Sequence, residues 1–386
     1  MNRKELTKKI LNIVHEINME NSVKQKPAYT LLEMLSTKSI ATLKELSRLY
    51  MVRGFSKMNK HEIISAVIEK MTDRNMLMEL LFILESYEWE MFKKVIENKQ
   101  VTDNNLFSDN YRMLLSLGLM GIYYYDNHFH YVIPIEIKKV YKELEKKGFP
   151  EEKEYSDLLN DYAIAASNLY GIISQDDFIE LFNSQNERKT DIDEMFSILI
   201  KYVSIGYGYC FWDEFIVNDD FEENDFVDVA DYIHATYSKP RYMPGKQEFL
   251  KYADWEYIEE TQQLNKLRVY INRHLSKDED LTEDIIEEIY FLAKTEAKPQ
   301  EYINLLEENG IYLELEQLQP LIGMICDLHN NTRLWINNGH TPNEIGLKQS
   351  GRIPHLVNEP MRVVKVGRNE ACPCESGKKY KKCCRN

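Results

Sequence analysis

Glycine and proline are scarce in this chain, at 15 and 11 of 386 residues. Few backbone breakers leave little room for flexible linkers and favour long ordered elements. Long apolar runs are also missing, and no stretch approaches the ~20 apolar residues of a membrane-spanning helix. The opening, MNRKELTKKILNIVHEI, has the charge pattern of an amphipathic helix, not of a basic cap before an apolar run, so no secretory leader is expected. No Walker-type glycine loop, G-x-G-x-x-G after a strand, G-x-S-x-G or H-E-x-x-H occurs. These absences point to a cytoplasmic protein that is not an enzyme and has no small-molecule substrate.

What is present is charge, unevenly spread. The net charge is −15. Residues 1–75 hold fourteen Lys/Arg and eight Asp/Glu, and residues 361–386 hold eight against two, so each end carries +6. The stretch between them therefore sums to −27. Basic ends on an acidic body argue against a generic nucleic-acid coat but leave either end free to meet phosphate.

Four of the six cysteines fall in the last fifteen residues, as Cys372-Pro373-Cys374 and Cys383-Cys384. Two sulfurs one residue apart, facing two adjacent sulfurs, can close a tetrahedron around one soft divalent ion, the ligand set of a structural zinc site. A segment this short has no core, so metal would supply most of its folding energy. Paired disulfides compete, but adjacent cysteines are poor partners and nothing marks the chain as secreted. Thiolate sites also accept iron. Cys210 and Cys326 lie in apolar stretches and read as ordinary buried residues.

Residues 366–386, VGRNEACPCESGKKYKKCCRN, resemble the SEC-C motif, the zinc-binding tail at the end of the SecA family of translocation ATPases. Gly367, Arg368, Asn369, Pro373, Ser376 and Gly377 fit its pattern around the four cysteines; Glu375 departs from it where the family usually has glycine. The resemblance implies a zinc knuckle and a binding role. In that family the module contacts the chaperone SecB and is associated with ribosomes and lipids. Lys378, Lys379, Tyr380, Lys381 and Lys382 are then the expected partner contacts, a basic patch suited to a protein or ribosomal surface.

Residues 40–71 read as two short helices joined at Gly54, the first opened by a Thr42–Glu45 capping box and the second by Asn59 with Glu62. Their apolar stripes are Leu43, Leu46, Leu49, Tyr50 and then Ile63, Ile64, Val67, Ile68, Met71. The segment resembles the N-terminal helical domain of the terminator Rho and, more loosely, SAP modules. That resemblance makes Arg53, Lys57 and Lys60 nucleic-acid candidates. Residues 76–148 follow with MLMELLFILESYEWEMFKKVI and Asn110–Leu119 as helices. A hairpin then turns at Asp126-Asn127, which together outline a winged-helix shape. Arg112 alone is basic on the second helix, so protein packing is the expected role there. His128 and His130 share a strand face but lack a third ligand.

From 149 to 336 the spacing predicts an acidic helical domain, with helices including Pro244–Thr261 and Leu315–Leu334. Asp213 to Asp231 holds nine acids and no base, a surface for a basic partner or for the protein's own tail. Asp327, His329, Arg333 and His340 define no nucleophile. The phrase WINNGHTPNEI resembles a segment preceding the tail in bacterial SEC-C proteins, and Thr341-Pro342 with Glu344 reads as a helix start. Residues 337–365 form the expected linker. The expected fold is mainly α: a multi-domain helical body with a basic 1–75 region, a winged-helix-like hairpin and a C-terminal zinc knuckle.

Overall fold

The computed structural model describes residues 3–295 and 297–348. The chain divides into two compact units, Met1–Ser238 with Met243–Tyr257, and Lys239–Tyr242 with Ile258–Asn386. Both are mainly helical, and the first also carries two small antiparallel sheets.

The first unit starts with α1 (Arg3–Asn21), α2 (Leu31–Ser36), α3 (Ile40–Leu49), α4 (Lys60–Met71), α5 (Arg74–Phe82) and α6 (Ser86–Glu97). The Asn59–Glu62 capping box forms as expected, each side chain taking the other's backbone N–H at 3.1 and 2.8 Å. The Thr42–Glu45 box does not open α3. Ser39 is the N-cap, its hydroxyl accepting from the Thr42 N–H at 3.1 Å, because the helix begins at Ile40, two residues before Thr42. Leu43, Leu46 and Tyr50 are buried, whereas Leu49 faces out. Gly54, at φ +75°, makes the turn between the helices, a conformation costly for any side chain.

The expected single helix over MLMELLFILESYEWEMFKKVI breaks between α5 and α6. The cause lies seventy residues away. The Lys153 ammonium, on α9 (Phe149–Tyr170), donates to the carbonyls of Phe82 and Leu84 at 3.1 and 2.8 Å. Those carbonyls no longer need an i+4 donor. The expected Asn110–Leu119 helix likewise shrinks to α7 (Arg112–Ser116), behind a 3-10 turn at Ser108–Asn110. There the Glu88 carboxylate accepts from the Met113 N–H.

Strands β1 (Val101–Thr102), β2 (Gly121–Tyr125) and β3 (His128–Val132) pair antiparallel in the order β1-β3-β2, and α8 (Ile135–Glu145) follows. Asp126 and Asn127, at φ +53° and +62°, form the two-residue primed turn that matches strand twist. One buried cluster runs from Leu31 to Phe149 and includes Phe92, Phe129, Tyr131 and Tyr141.

A second sheet follows that the spacing did not predict: β4 (Ile172–Ser174), then α10 (Gln175–Gln185) and α11 (Ile192–Val203), then β5 (Tyr209–Trp212) and β6 (Phe215–Asn218). Its order, β4-β6-β5, repeats the plan of the first sheet: a helix, a strand, two helical segments and a hairpin whose return strand is central. Strands of three or four residues are too short for a period-two signal. The unit closes with α12 (Val229–Thr236) and α13 (Lys246–Phe249). The expected Pro244–Thr261 helix is therefore only α13 and a 3-10 turn, Leu250–Ala253. Asn168 on α9 takes the Tyr252 carbonyl at 2.9 Å, and the Phe249 ring packs on Tyr162 with centroids 5.1 Å apart. Tertiary anchors thus override the local helical pattern.

The second unit holds α14 (Gln262–His274), α15 (Glu279–Lys294), α16 (Pro299–Glu308), α17 (Leu315–Asn331) and α18 (Pro342–Lys348) around Leu267, Ile271, Ile285, Ile289, Leu306 and Leu328. The reading of α17 overran by three residues, since Thr332 is extended and ends it. Among the described residues no helix is long and apolar enough to cross a membrane.

Candidate metal centre and interaction surfaces

The expected metal ligands, Cys372, Cys374, Cys383 and Cys384, and the expected partner contacts, Lys378 to Lys382, lie outside the described residues. The donor set itself fits a closed tetrahedral site, since four thiolates match one soft divalent ion and leave no position for water. Among the described residues no group of three or more His, Cys, Asp and Glu could hold a metal ion. Cys210 is buried in β5, as expected, but Cys326 is exposed, because α17 turns it outward beside Asp327.

The segment that leads towards the tail is held by a polar knot. Thr341 stands at the expected helix start, just before α18, and forms a capping box with Glu344: its hydroxyl accepts from the Glu344 N–H at 3.1 Å, and Glu344 accepts from the Thr341 N–H at 3.2 Å. The same carboxylate meets His340 Nδ1 at 2.9 Å and Arg333 Nη1 at 3.2 Å. Arg333 stacks 3.5 Å above the Tyr242 ring and lies 3.2 Å from Glu259. Asn338, at φ +50°, donates to the Lys239 carbonyl at 2.9 Å, and Lys239 donates to the Ile336 carbonyl at 2.6 Å. Arg333, Asn338, His340 and Thr341 are all buried. Sequence reading named Arg333 and His340 as neighbours without a role, and missed Glu259 and Tyr242. Only the Thr-Pro-x-Glu start signal hinted at this cluster.

Burial pushes the Glu344 carboxyl upward, but the His340 hydrogen bond and the Arg333 charge outweigh it and hold the group below its ordinary value. A depressed carboxyl contributes stability above its unfolded pKa and loses it as pH falls through the folded one. Glu344→Gln is therefore expected to lower the thermal midpoint at pH 7. Its deficit relative to wild type should shrink below about pH 4, where both proteins carry a neutral group. A deficit independent of pH in melting curves would refute the ion-pair account.

The nucleic-acid candidates Arg53, Lys57 and Lys60 are all exposed around the α3–α4 turn, and Lys60 donates to the Ser36 carbonyl at 2.8 Å. The structure gathers no further exposed cation into a tract with them on α4's first turn, where His61 and Glu62 follow. His130 Nδ1 lies 2.9 Å from Gln100 and 3.1 Å from Thr102, and its Nε2 lies 3.0 Å from the Tyr125 carbonyl. On α9, Lys153 is fully buried and meets both oxygens of Asp157 at 2.7 and 2.9 Å. Asp161 one turn on keeps solvent contact, yet desolvation by its neighbours and the Asp157 charge push its pKa up to about 6 against the opposing Lys153.

On α11, Ile192, Phe196 and Ile200 stand exposed at i, i+4 and i+8, one face of the helix. Its basic residue, Lys201, is paired with Glu79 at 2.9 Å. This apolar face also escaped sequence reading, because helical spacing of Ile and Phe reads as core.

Comparison with known proteins bears on the tail. The family model described as the SEC-C motif matches residues 368–386. The protein translocase subunit SecA of Desulfotalea psychrophila is 69% identical over 38 residues, 10% of this chain and 4% of that protein. A UPF0225 protein of Pectobacterium carotovorum is 81% identical over 21 residues, 5% of this chain and 14% of the relative. Another, of Vibrio parahaemolyticus, is 34% identical over 93 residues, 24% of this chain and 53% of the relative. The chain thus spans from 4% to 53% of the length of these relatives. No solved structure matches it. Residues 368–386 of this chain are a SEC-C motif, and its similarity to SecA and UPF0225 proteins is distant and partial.

Proposed function

We propose that this protein is a zinc-binding adaptor of the cytoplasm, not an enzyme, whose basic SEC-C tail docks on a protein or ribonucleoprotein partner. The observation that carries this reading is the SEC-C match over 368–386, with four thiolates and four lysines in one short segment. Four thiolates around zinc leave no open coordination position, so the ion folds the segment and does no chemistry. Its +6 balance falls by two when four thiolates hold one Zn²⁺, and the remainder suits an acidic protein surface or ribosomal phosphate. A process related to secretion, chaperones or ribosomes follows from the resemblance to SecA.

The alternative is a nucleic-acid-binding regulator. The exposed Arg53, Lys57 and Lys60 favour it, as does the winged-helix plan suggested by β1-β3-β2 and repeated by β4-β6-β5. A groove-reading helix carries several polar or basic groups. Here α7 carries only Arg112, and α11 presents Ile192, Phe196 and Ile200, a surface for protein.

The test is affinity capture of the tagged protein from cytosol, with and without nuclease, beside the Cys383→Ser/Cys384→Ser variant. A partner that survives nuclease and is lost with the variant supports tail docking on protein. Ribosomes or nucleic acid kept by the variant, lost on nuclease and weakening log-linearly with salt, move the function to the N-terminal half.

A further inference from the structure

Helices α15 and α16 enclose a groove of about 520 Å³ with an apolar floor and an acidic rim. The floor is Phe291, Leu292 and Leu305; the rim is Glu287, Glu288, Glu301 and Glu308. Helical spacing builds it. Glu287 stands one turn before Phe291, Glu288 one turn before Leu292, and Glu301, Leu305 and Glu308 fall at i, i+4 and i+7 of one face. Phe291 is 46% exposed although its neighbours Ile289 and Tyr290 are buried. Other glutamates nearby are engaged: Glu260 and Glu283 both pair with Arg268. Among the described residues, Glu287, Glu288 and Glu308 face no cation. A groove with unpaired carboxylates above exposed apolar surface is shaped for a cationic segment that also brings an aromatic or aliphatic side chain.

We infer that this groove docks the chain's own basic tail, with Lys378, Lys379, Lys381 and Lys382 meeting the glutamates and Tyr380 meeting the apolar floor. Charge complementarity is the first argument. Residues 258–348 hold seventeen Asp/Glu against eight Lys/Arg, and residues 361–386 hold eight Lys/Arg against two. Chain length is the second. Twenty-nine residues separate Lys348, the last of α18, from Lys378. At ~3.3–3.6 Å per residue they can span up to about 100 Å, whereas a unit of this size has a radius of gyration of only about 13 Å. Every face of the second unit is therefore within reach. Tethering is the third: a linked segment faces its site at an effective concentration in the millimolar range, so even a weak contact is occupied.

This inference rests on the tail being a docking segment, though not on what it docks to. It adds a regulatory step. A partner must displace the tail from the groove, so its apparent affinity is reduced by the fraction of tail engaged at home.

The test is zero-length carbodiimide crosslinking of the purified, zinc-loaded full chain without any partner, mapped by peptide mass spectrometry. Equal amounts of light and heavy isotope-labelled protein are mixed first. Crosslinks from Lys378–Lys382 should concentrate on Glu287, Glu288, Glu301 and Glu308, within one isotope label. They should fall to background in Glu287→Gln/Glu288→Gln/Glu308→Gln, whose circular dichroism must match wild type. Crosslinks spread over the acids of Asp213 to Asp231, or found equally between labels, would overturn the inference; the latter would make the contact one between copies. The partner reading fails separately, if capture is unaffected by the cysteine variant while these crosslinks persist.

Discussion

Replacing Cys383 and Cys384 with serine is expected to abolish metal binding by the tail and to leave the helical body folded. Serine hydroxyls do not replace thiolates on a soft ion, and a four-coordinate site stripped of two ligands loses most of its affinity. Binding and folding are one event in such a segment, worth about 10–16 kcal/mol in zinc-finger peptides at neutral pH. The body does not share that dependence, because both units have apolar cores that use none of the four cysteines. Elemental analysis is expected to read one equivalent of zinc in wild type and none in the variant, with coincident far-ultraviolet circular dichroism apart from the tail. One equivalent retained by the variant would refute the ligand set.

Lys153→Ala is expected to be the most destabilising single change in the first unit. The ammonium is fully buried, neutralises Asp157 and caps the carbonyls of Phe82 and Leu84. Asp157 keeps a third of its surface exposed, so removing its buried partner leaves two carbonyls and a half-buried charge uncompensated, a loss of about 3 kcal/mol, the low end for a buried pair. Lys153→Met keeps the packing of the stem and should cost less than alanine. Desolvation lowers the Lys153 pKa and the Asp157 charge opposes it. The folded state thus releases the proton at lower pH than the unfolded chain, and wild-type stability gains from this group as pH rises towards 10.5. Urea unfolding at pH 7 measures the loss. A change below 1 kcal/mol would refute the account of Lys153 as the anchor of these groups.

Local chemistry made parts of this architecture readable. Asn59 with Glu62, Asp126-Asn127 and Thr341 with Glu344 each encode their geometry within four residues, and each was readable. The break between α5 and α6, the loss of helix after Phe249 and the late start of α7 depend on Lys153, Asn168 and Glu88. Those partners are tens of residues away, so no local period announces them. The second sheet hid because its strands are short and its Asp213-Glu214 turn sits inside an acidic run. The tail is the reverse case. Its sulfurs carry their chemistry in their spacing, which needs no distant partner to be read.

The knot around Arg333 has a mechanical consequence. Tension applied at the C-terminal end of α18 first meets a fixed point at Glu344. From there the pull divides between Arg333, which is tied to Glu259 and Tyr242, and His340. Asn338 and Lys239 pass part of it to a strand of chain a hundred residues earlier. Load shared among several short polar contacts does not unzip α17 one turn at a time. Tension on that end therefore loads the second unit as one body.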